Sequence, residues 1–285
     1  MYNVGLTVFL PDSFLSETKD LKLKTSKVGI IGRALAVFNV NQVVIYRDTT
    51  KNQFDTHNDI DRNFSDGNFI SKLLKYMDTP QYLRKSVYPI QSDLKYVGIL
   101  PPLRTPNHPV DEAELGDYRQ GFTVKRNKKG TFVDIGMKDL AFCKDQLTVN
   151  KVFSFKVTKI AKEVIVIPDE PDDIYWGYKT LYNQETLKNS LKSVNFDFVI
   201  VTTRYGSDIR FIFNELSSEI KNHENVAILF GSPYHGISED IFKSIESSSP
   251  NIIKLNSIPN QGTETVRTEE ALISTLAIFN MIYNG

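Results

Sequence analysis

The sequence lacks most of the features that place a chain outside the ordinary globular class. It has one cysteine, Cys143, which excludes an intramolecular disulfide framework and favours a cytoplasmic location. Basic and acidic residues number 34 each, so contact with a polyanion must come from a local basic patch. No apolar run is long enough to cross a membrane. The four histidines are scattered without a ligand cluster. We predict no membrane span and no metal.

Both ends of the chain show α/β patterning. Near the start, the segment "NVGLTVFL" predicts a strand, and "SKVGIIGRALAVFNV" carries apolar residues at helical spacing. Later, "FDFVIVTT" and "NVAILFG" are nearly continuous apolar runs, which is typical of parallel strands covered by helices on both faces. The segment "TEEALISTLAIFNMIYN" predicts the last helix. The pattern predicts a parallel sheet.

The middle of the chain has a different residue pattern. Short β-rich runs separated by Pro, Gly and charged turns predict a small barrel or sandwich. We therefore predict three segments: residues 1–84 and 169–285 form one α/β domain, and residues 85–168 form an inserted β domain. Within the insertion, "KRNKKG" predicts a hairpin tip. On composition alone its charges are typical of a solvated turn that keeps the edge of the sheet soluble, and the alternative is contact with a polyanion. They belong to Lys125, Arg126, Lys128 and Lys129.

Polar, glycine-bearing segments follow three of the predicted parallel strands. They are "TTRYGSD", "GSPYHG" and "NSIPNQGTETVRT". Each alone is equally typical of a turn and a helix cap, with Ser207 and Thr268 as candidate caps. Because ligands collect beyond the carboxyl ends of parallel strands, three such segments together favour a small-molecule site. The sequence contains neither a nucleotide-binding G-x-x-x-x-G-K-[ST] motif nor a G-x-S-x-G elbow.

Several of these segments resemble a known family. The tail "FGSPYHG … LNSIPNQGTETVRTEEALIS" resembles the cofactor region of SPOUT methyltransferases, and "GIIGRALAVFNVNQVVIY" is similar to a motif of their ribose-methylating members. With "TPQYLRK" and "DDIYWGY", the order matches the archaeal and eukaryotic putative RNA methyltransferases that carry an OB-like barrel. The resemblance implies an α/β fold with a parallel sheet, a C-terminal trefoil knot and an OB-like insertion.

The resemblance also implies a cofactor, partners and site residues. The cofactor is S-adenosylmethionine, and the protein is expected to be a homodimer that acts on RNA, rRNA in preference to tRNA. Arg33 is a candidate catalytic residue, although its helical position alone is typical of a solvated arginine. The expected cofactor contacts are Thr203, Arg204, Gly231, Asn256, Ile258, Gln261, Gly262, Thr265 and Thr268.

Three functions remain open. The first is methylation of a base nitrogen, such as N3 of a uridine in rRNA. The second is methylation of a ribose 2′-oxygen of rRNA or tRNA, which the motif around Arg33 favours. The third is a non-catalytic role in RNA binding or ribosome assembly. Attack through C5 of a uracil is disfavoured because Cys143 lies in the insertion and follows no nucleophile motif.

Overall fold

The chain folds as two units in the computed structural model, which describes residues 5–49, 66–233, 235–247 and 251–284. The α/β unit comprises the described residues within Met1–Lys75, Tyr96–Pro101 and Tyr178–Gly285. The barrel unit comprises Tyr76–Lys95 and Pro102–Gly177. The segment boundaries at 84/85 and 168/169 stay predictions. The sequence also predicts a polar loop at "HNDIDRNFSDG", with Ser65 or Asp66 as the cap of the helix that follows. Most of this segment, including Ser65, lies outside the described residues.

A six-stranded parallel sheet forms the α/β unit. Its strand order is β11-β9-β10-β1-β2-β8, and every neighbouring pair is parallel. The expected parallel sheet is therefore confirmed. The strands are β1 (Gly5–Pro11), β2 (Gln42–Arg47), β8 (Lys179–Thr186), β9 (Phe198–Asp208), β10 (Asn225–Leu229) and β11 (Ile252–Asn256).

Helices cover the apolar faces of this sheet. Phe9, Val199 and Leu229 face a buried cluster to which α4 (Leu187–Leu191) and α6 (Glu239–Glu246) also contribute. Since side chains alternate along a strand, the intervening residues face the opposite side. Burial on both faces explains the continuous apolar runs of β1, β9 and β10. The remaining helices are α1 (Leu21–Val37), α2 (Asp66–Asp78), α3 (Arg84–Val87), α5 (Ile209–Asn222) and α7 (Thr268–Asn284).

The strand order reverses direction at β9. The chain passes from β9 to its neighbour β10, and then returns to the other side of β9 as β11. Helices α5 and α6 form the two connections. A reversal of this kind opens a crevice beyond the carboxyl ends of the strands, where α/β sheets bind ligands.

The barrel unit contains five strands closed in the order β3-β4-β5-β7-β6. Strands β5 and β7 pair in parallel, and the other pairs are antiparallel. Residues such as Val133, Phe155 and Val166 fill the interior. The predicted β insertion is thus confirmed as a closed barrel. Its strands are β3 (Tyr118–Asn127), β4 (Gly130–Asp134), β5 (Ala141–Cys143), β6 (Val152–Lys159) and β7 (Ile165–Pro168).

Asp78 joins the two ends of the barrel unit. Its backbone carbonyl accepts hydrogen bonds from His108 Nε2, at 2.8 Å, and from Asn107 Nδ2, at 3.3 Å. Gly177, with φ of +90°, packs directly against the Asp78 carboxylate. Burial lowers the pKa of His108 to about 4, the bond to the Asp78 carbonyl opposes this shift, and the charge of Arg84 adds to it.

The structure corrects both predicted helix caps. The N-cap of α5 is Asp208, not Ser207, and its side chain accepts a hydrogen bond from the Arg210 amide. Helix α7 makes its first backbone bond from Ala271 to the Arg267 carbonyl, so Thr268 is already inside the helix. The Glu270 carboxylate instead accepts a bond from the Arg267 amide, at 3.0 Å. Acidic side chains at these two helix starts replace the expected hydroxyls.

Two negative observations concern the part of the chain that the structure describes. Within it, no helix combines the length and the apolar character that crossing a membrane requires. Within the same residues, no group of three or more His, Cys, Asp or Glu side chains is arranged to hold a metal ion.

Candidate functional site

A cleft of about 500 Å³ lies where β9, β10 and β11 end. Its size falls in the range typical of sites for cofactors and other small molecules. The cleft is lined by the carboxyl ends of these strands and by the segment that leads into α7, so the expected ligand crevice is present. Its lining residues are Thr202–Tyr205, Phe230–Pro233, His235–Ile237, Leu255–Ile258, Gln261, Glu264–Val266, Thr268 and Ala271.

The first wall is a bulge in β9. Strand β11 pairs Lys254 with Val201 and then Leu255 with Ser207, so residues 202–206 protrude from the ladder. Gly206 ends this bulge. A Cβ on it would lie only 2.7 Å from the backbone N and C atoms of Leu255, so a larger residue forces the two strands apart. The glycine is required for close approach of the backbones, and the bulge directs its side chains at the cleft.

The second wall is the loop after β10. Ser232 and Gly236 exchange backbone hydrogen bonds of 3.0 and 2.8 Å, which close a tight turn. A Cβ on Gly231 would overlap the Gly236 backbone and lie 2.6 Å from the Ile237 nitrogen. Only glycine therefore fits at position 231 without moving the loop.

A buried tyrosine supports the start of this loop. The Tyr46 hydroxyl donates a 2.8 Å hydrogen bond to the Phe230 carbonyl. Burial raises the pKa of Tyr46 well above its ordinary value, and the charges of Asp48 and Asp12 add to the effect. The hydroxyl consequently stays protonated and remains a donor at any physiological pH.

The third wall is tied to the first by side-chain hydrogen bonds. Asn256 Nδ2 donates to the Arg204 carbonyl at 3.0 Å, and Asn256 Oδ1 accepts from the Ile258 amide at 3.1 Å. Arg204 Nη1 donates to the Glu264 carbonyl at 3.2 Å. Gln261 Nε2 also donates to that carbonyl, at 3.0 Å. Asn256 and Arg204 thus hold the bulge and the 261–265 segment together.

Most of the expected cofactor contacts meet at this cleft. Eight of the nine line it, and among the described lining residues Gly262 does not appear. Arg33 lies half-buried on α1 and is likewise not among the described lining residues. From the sequence alone, Arg204 is also able to pair with Asp208 across a turn. Asp208 instead binds Arg210, and Arg204 donates to the Glu264 carbonyl. The roles of these residues in binding stay predictions.

Sequence reasoning missed several residues of the cleft. Tyr205, His235 and Glu264 line it, and each stands beside or inside a segment that had been singled out. Tyr205 follows Arg204 directly in "TTRYGSD". The register shift that turns this tyrosine out of the ladder depends on how β11 pairs with β9, a contact that the local sequence does not encode.

The chemistry of the lining fits S-adenosylmethionine. Ile258 and Val266 provide apolar surface for an adenine ring. Hydroxyl groups and backbone amides from the same three segments suit a ribose. Arg204 offers a positive charge for a carboxylate, and Glu264 a negative charge for an ammonium group. A methionine portion carries both of these groups.

The basic tip lies in the barrel unit, between β3 and β4. Lys125, Arg126, Lys128 and Lys129 are all exposed. Lys125 Nζ lies 5.1 Å from the centroid of the Phe132 ring, and Phe132 meets Phe142 edge to face with centroids 5.4 Å apart. In the strand register, Phe132 is opposite both Lys125 and Phe142, so these three side chains form a row across neighbouring strands.

The sequence comparisons identify the family. Residues 5–279 match the family described as "Putative RNA methyltransferase". This chain belongs to that family. It is an RNA methyltransferase, and the cleft with its three walls is the candidate place for the methyl donor.

Named relatives cover nearly the whole chain. The human "28S rRNA (uridine-N(3))-methyltransferase" is 27% identical over 95% of this chain and 77% of its own length. The Drosophila melanogaster protein of the same name is 27% identical over 95% of this chain, which spans only 61% of that relative. "Uncharacterized protein VNG_1688C" of Halobacterium salinarum is 28% identical over 95% of this chain and 96% of its own length.

One solved structure, a "putative methylase family protein" from Neisseria gonorrhoeae, covers 100% of this chain and 85% of its own. Its TM-score of 0.40 and 9% identity are too low to carry an argument about this chain.

Proposed function

We propose that this RNA methyltransferase uses S-adenosylmethionine to methylate N3 of a uridine in ribosomal RNA. The observation that carries the proposal is the cleft at the strand reversal, whose lining matches the chemical groups of the cofactor. The names of the human and Drosophila relatives support the choice of uridine N3 and of rRNA.

The cofactor would be held by the three walls of the cleft. Backbone groups of Gly231 and Ile237 and the side chains of Asn256 and Thr265 suit the nucleoside, and Arg204 and Glu264 suit the charged ends of the amino-acid portion. When bound, S-adenosylmethionine supplies an electrophilic methyl group. The protein then contributes mainly by positioning the acceptor nitrogen and removing its proton.

Two side chains in the cleft are able to accept that proton. His235 and Glu264 both line it, and both are exposed to solvent that takes the proton onward. Methylation of N3 would form an N–C bond as the S–C bond of the donor breaks and S-adenosylhomocysteine leaves, and it would release the N3 proton, so one proton acceptor is sufficient. Replacing His235 by Gln and Glu264 by Gln in separate variants identifies which of them sets the pH–rate profile.

The position of Cys143 argues against methylation at carbon 5 of a uracil. Its side chain is fully buried among the residues that fill the barrel. Burial raises the pKa of the thiol, which disfavours the nucleophilic thiolate.

The barrel is proposed to bind the RNA through its basic tip. The row of Lys125, Phe132 and Phe142 combines positive charge with aromatic rings, the combination that holds unpaired nucleotides. The closed five-stranded order with one parallel pair supports an OB-type assignment. The trefoil knot and the homodimer implied by the resemblance, and the cytoplasmic location favoured by the single cysteine, belong to the same proposal.

The decisive experiment has two measurements. In the first, titration calorimetry with S-adenosylmethionine is expected to show binding by the purified protein. In the second, the organism's own large-subunit rRNA, transcribed without modifications, is incubated with protein and cofactor, digested to nucleosides and analysed by mass spectrometry. We expect 3-methyluridine. A 2′-O-methylated nucleoside supports the ribose alternative, and cofactor binding without any methylated nucleoside supports a non-catalytic assembly role.

A further inference from the structure

Tyr205 is an exposed aromatic side chain at the methyl-donor cleft. It lines the cleft, yet 79% of its surface is accessible to solvent. Isolated exposed aromatics are common on protein surfaces and need no special explanation. Tyr205 differs because its backbone and its ring are both fixed in place.

The backbone around Tyr205 is held from three directions. Its amide donates to Thr203 Oγ1 at 3.3 Å. The preceding carbonyl, of Arg204, accepts the 3.0 Å bond from Asn256 Nδ2. The following residue, Gly206, packs against the Leu255 backbone, so this end of the bulge cannot relax toward β11.

The ring itself is held by Arg204. Arg204 Nη2 donates a hydrogen bond to the Tyr205 hydroxyl, and the Arg204 Cζ atom lies 4.7 Å from the ring centroid. Arg204 is anchored in turn by the Glu264 carbonyl. The ring is therefore stacked on one side by a fixed cation, while most of its remaining surface faces solvent. An aromatic ring fixed in this way loses little conformational entropy when a planar group stacks on it.

We propose that Tyr205 is the stacking residue for the target base, which it receives unpaired and turned out toward the cleft. The inference rests on the proposed function, because it assigns the substrate to the same cleft. Enzymes that modify a base at an edge used in pairing must take it out of the helix, and they hold it by stacking on aromatic side chains. N3 of a uridine lies on that edge.

Stacking of this kind predicts a particular kinetic pattern. The ring contacts the base in the bound state and in the transition state alike, so its loss raises KM for RNA and leaves kcat nearly unchanged. Because alanine substitution of a stacking residue costs about 5- to 150-fold in affinity, kcat/KM for Tyr205→Ala is expected to fall by about 10- to 100-fold. Tyr205→Phe and Tyr205→Trp keep an aromatic face and are expected to stay within about threefold of the wild type.

Phe211 offers a matched control. It is 84% exposed in the same unit, and Arg210 Cζ lies 5.7 Å from its ring centroid, but it is not among the described residues that line the cleft. Phe211→Ala is expected to leave kcat/KM unchanged. Equal losses in Tyr205→Ala and Phe211→Ala would show a general effect of exposed aromatics and would overturn the assignment.

The experiment combines methyl transfer with direct binding. Kinetics on the unmodified large-subunit rRNA transcript are compared with the affinity of the same transcript for protein saturated with S-adenosylhomocysteine. If the wild type transfers no methyl group, the proposed function fails, and the role of Tyr205 is decided by RNA affinity alone. An unchanged RNA affinity in Tyr205→Ala contradicts the proposal. A weaker cofactor affinity in Tyr205→Ala also contradicts the proposal, because Tyr205 is then a cofactor-binding residue. A lower sedimentation mass contradicts it as well, because Tyr205 is then a contact between subunits.

Discussion

The cleft of the α/β unit and the basic tip of the barrel unit are built on opposite principles. The cleft consists of protruding and looped backbone that is held by close contacts at Gly206 and Gly231 and by the hydrogen bonds of Asn256 and Arg204. The tip consists of side chains on the hairpin between β3 and β4, where residues 125–129 are all exposed. The cleft should therefore tolerate few substitutions, and the tip should tolerate many without loss of stability.

The largest effect is expected in the barrel unit, at the junction that holds its ends. His108 has a pKa of about 4 in the folded protein and about 6.5 in the unfolded chain, so the unfolded chain binds a proton first as the pH falls. Its contribution to the free energy of unfolding is complete above about pH 6.5 and is lost toward pH 4, a decrease of about 3 kcal/mol. Denaturant titrations of the wild type and His108→Gln at several pH values measure it.

One result would contradict this prediction. An identical acid dependence in His108→Gln and the wild type would show that other groups, not His108, cause the loss. The two units are therefore also expected to differ in how their stability depends on pH, with the barrel unit as the acid-sensitive one.

The next prediction tests whether the cleft tolerates a substitution at a closely packed glycine. Gly231→Ala places a methyl group against the Gly236 backbone, and the forced shift is expected to cost about 1–3 kcal/mol of stability. It should also weaken S-adenosylmethionine binding at least about tenfold, because the displaced loop forms one wall of the site. Calorimetric titration measures the affinity, and thermal unfolding confirms that the variant is folded.

Gly262 supplies the control for Gly231. A Cβ at Gly262 meets no atom within 4 Å among the described residues, and this glycine, although expected from the sequence to contact the cofactor, is not among the described lining residues of the cleft. Gly262→Ala is expected to bind the cofactor as the wild type does. Equal losses of cofactor affinity in both variants would mean that glycine is required at both positions for another reason. The explanation by close backbone contact at Gly231 would then fail.

The smallest effect on stability is expected at the tip. Changing its four basic residues to Gln should alter the free energy of unfolding by no more than about 0.5 kcal/mol. The salt dependence of RNA binding should fall by about 0.7 in log–log slope for each residue that contacts a phosphate. Cofactor affinity is expected to stay constant. Binding of the rRNA transcript at several salt concentrations provides the measurement.

Four exposed lysines on helices or at a helix end of the α/β unit make the charge-matched control. They are Lys188, Lys192, Lys221 and Lys243. If their replacement by Gln lowers the salt slope as much as the change at the tip does, RNA recognition is not localised to the barrel, and the tip is a solvated turn.

The same contrast explains what the sequence could and could not predict. The continuous apolar runs of β9 and β10 predicted buried parallel strands because burial on both faces leaves a local signature. Strand β8 has no such signature. Its residues "KTLYNQET" are largely polar, and the strand forms because β2 offers a free edge, so it was missed together with α4.

Within the site, prediction from the sequence succeeded and failed for the same physical reason. Gly231 and Asn256 were recognised because they belong to polar, glycine-bearing segments that follow predicted strands. The cap at Arg267 was assigned one residue too late, since an arginine offers no side-chain acceptor and the bond at this helix start runs from the Arg267 amide to the Glu270 carboxylate. Tyr205 escaped notice because its exposure results from the register shift between β9 and β11, which is a tertiary property.

The bonds around Asp78 have a consequence for how the chain reaches its native topology. Strands β2 and β8 pair directly, Gln42 with Lys179, although the whole barrel is encoded between them. Closing a flexible loop of that length costs entropy that grows with the logarithm of its length. A folded barrel, with Gly177 packed on Asp78, turns most of the loop into a rigid body whose ends already meet. The pairing of β2 with β8 then becomes a nearly local contact in place of one between residues far apart in the chain. The rate at which the sheet forms should therefore follow the rate at which the barrel folds.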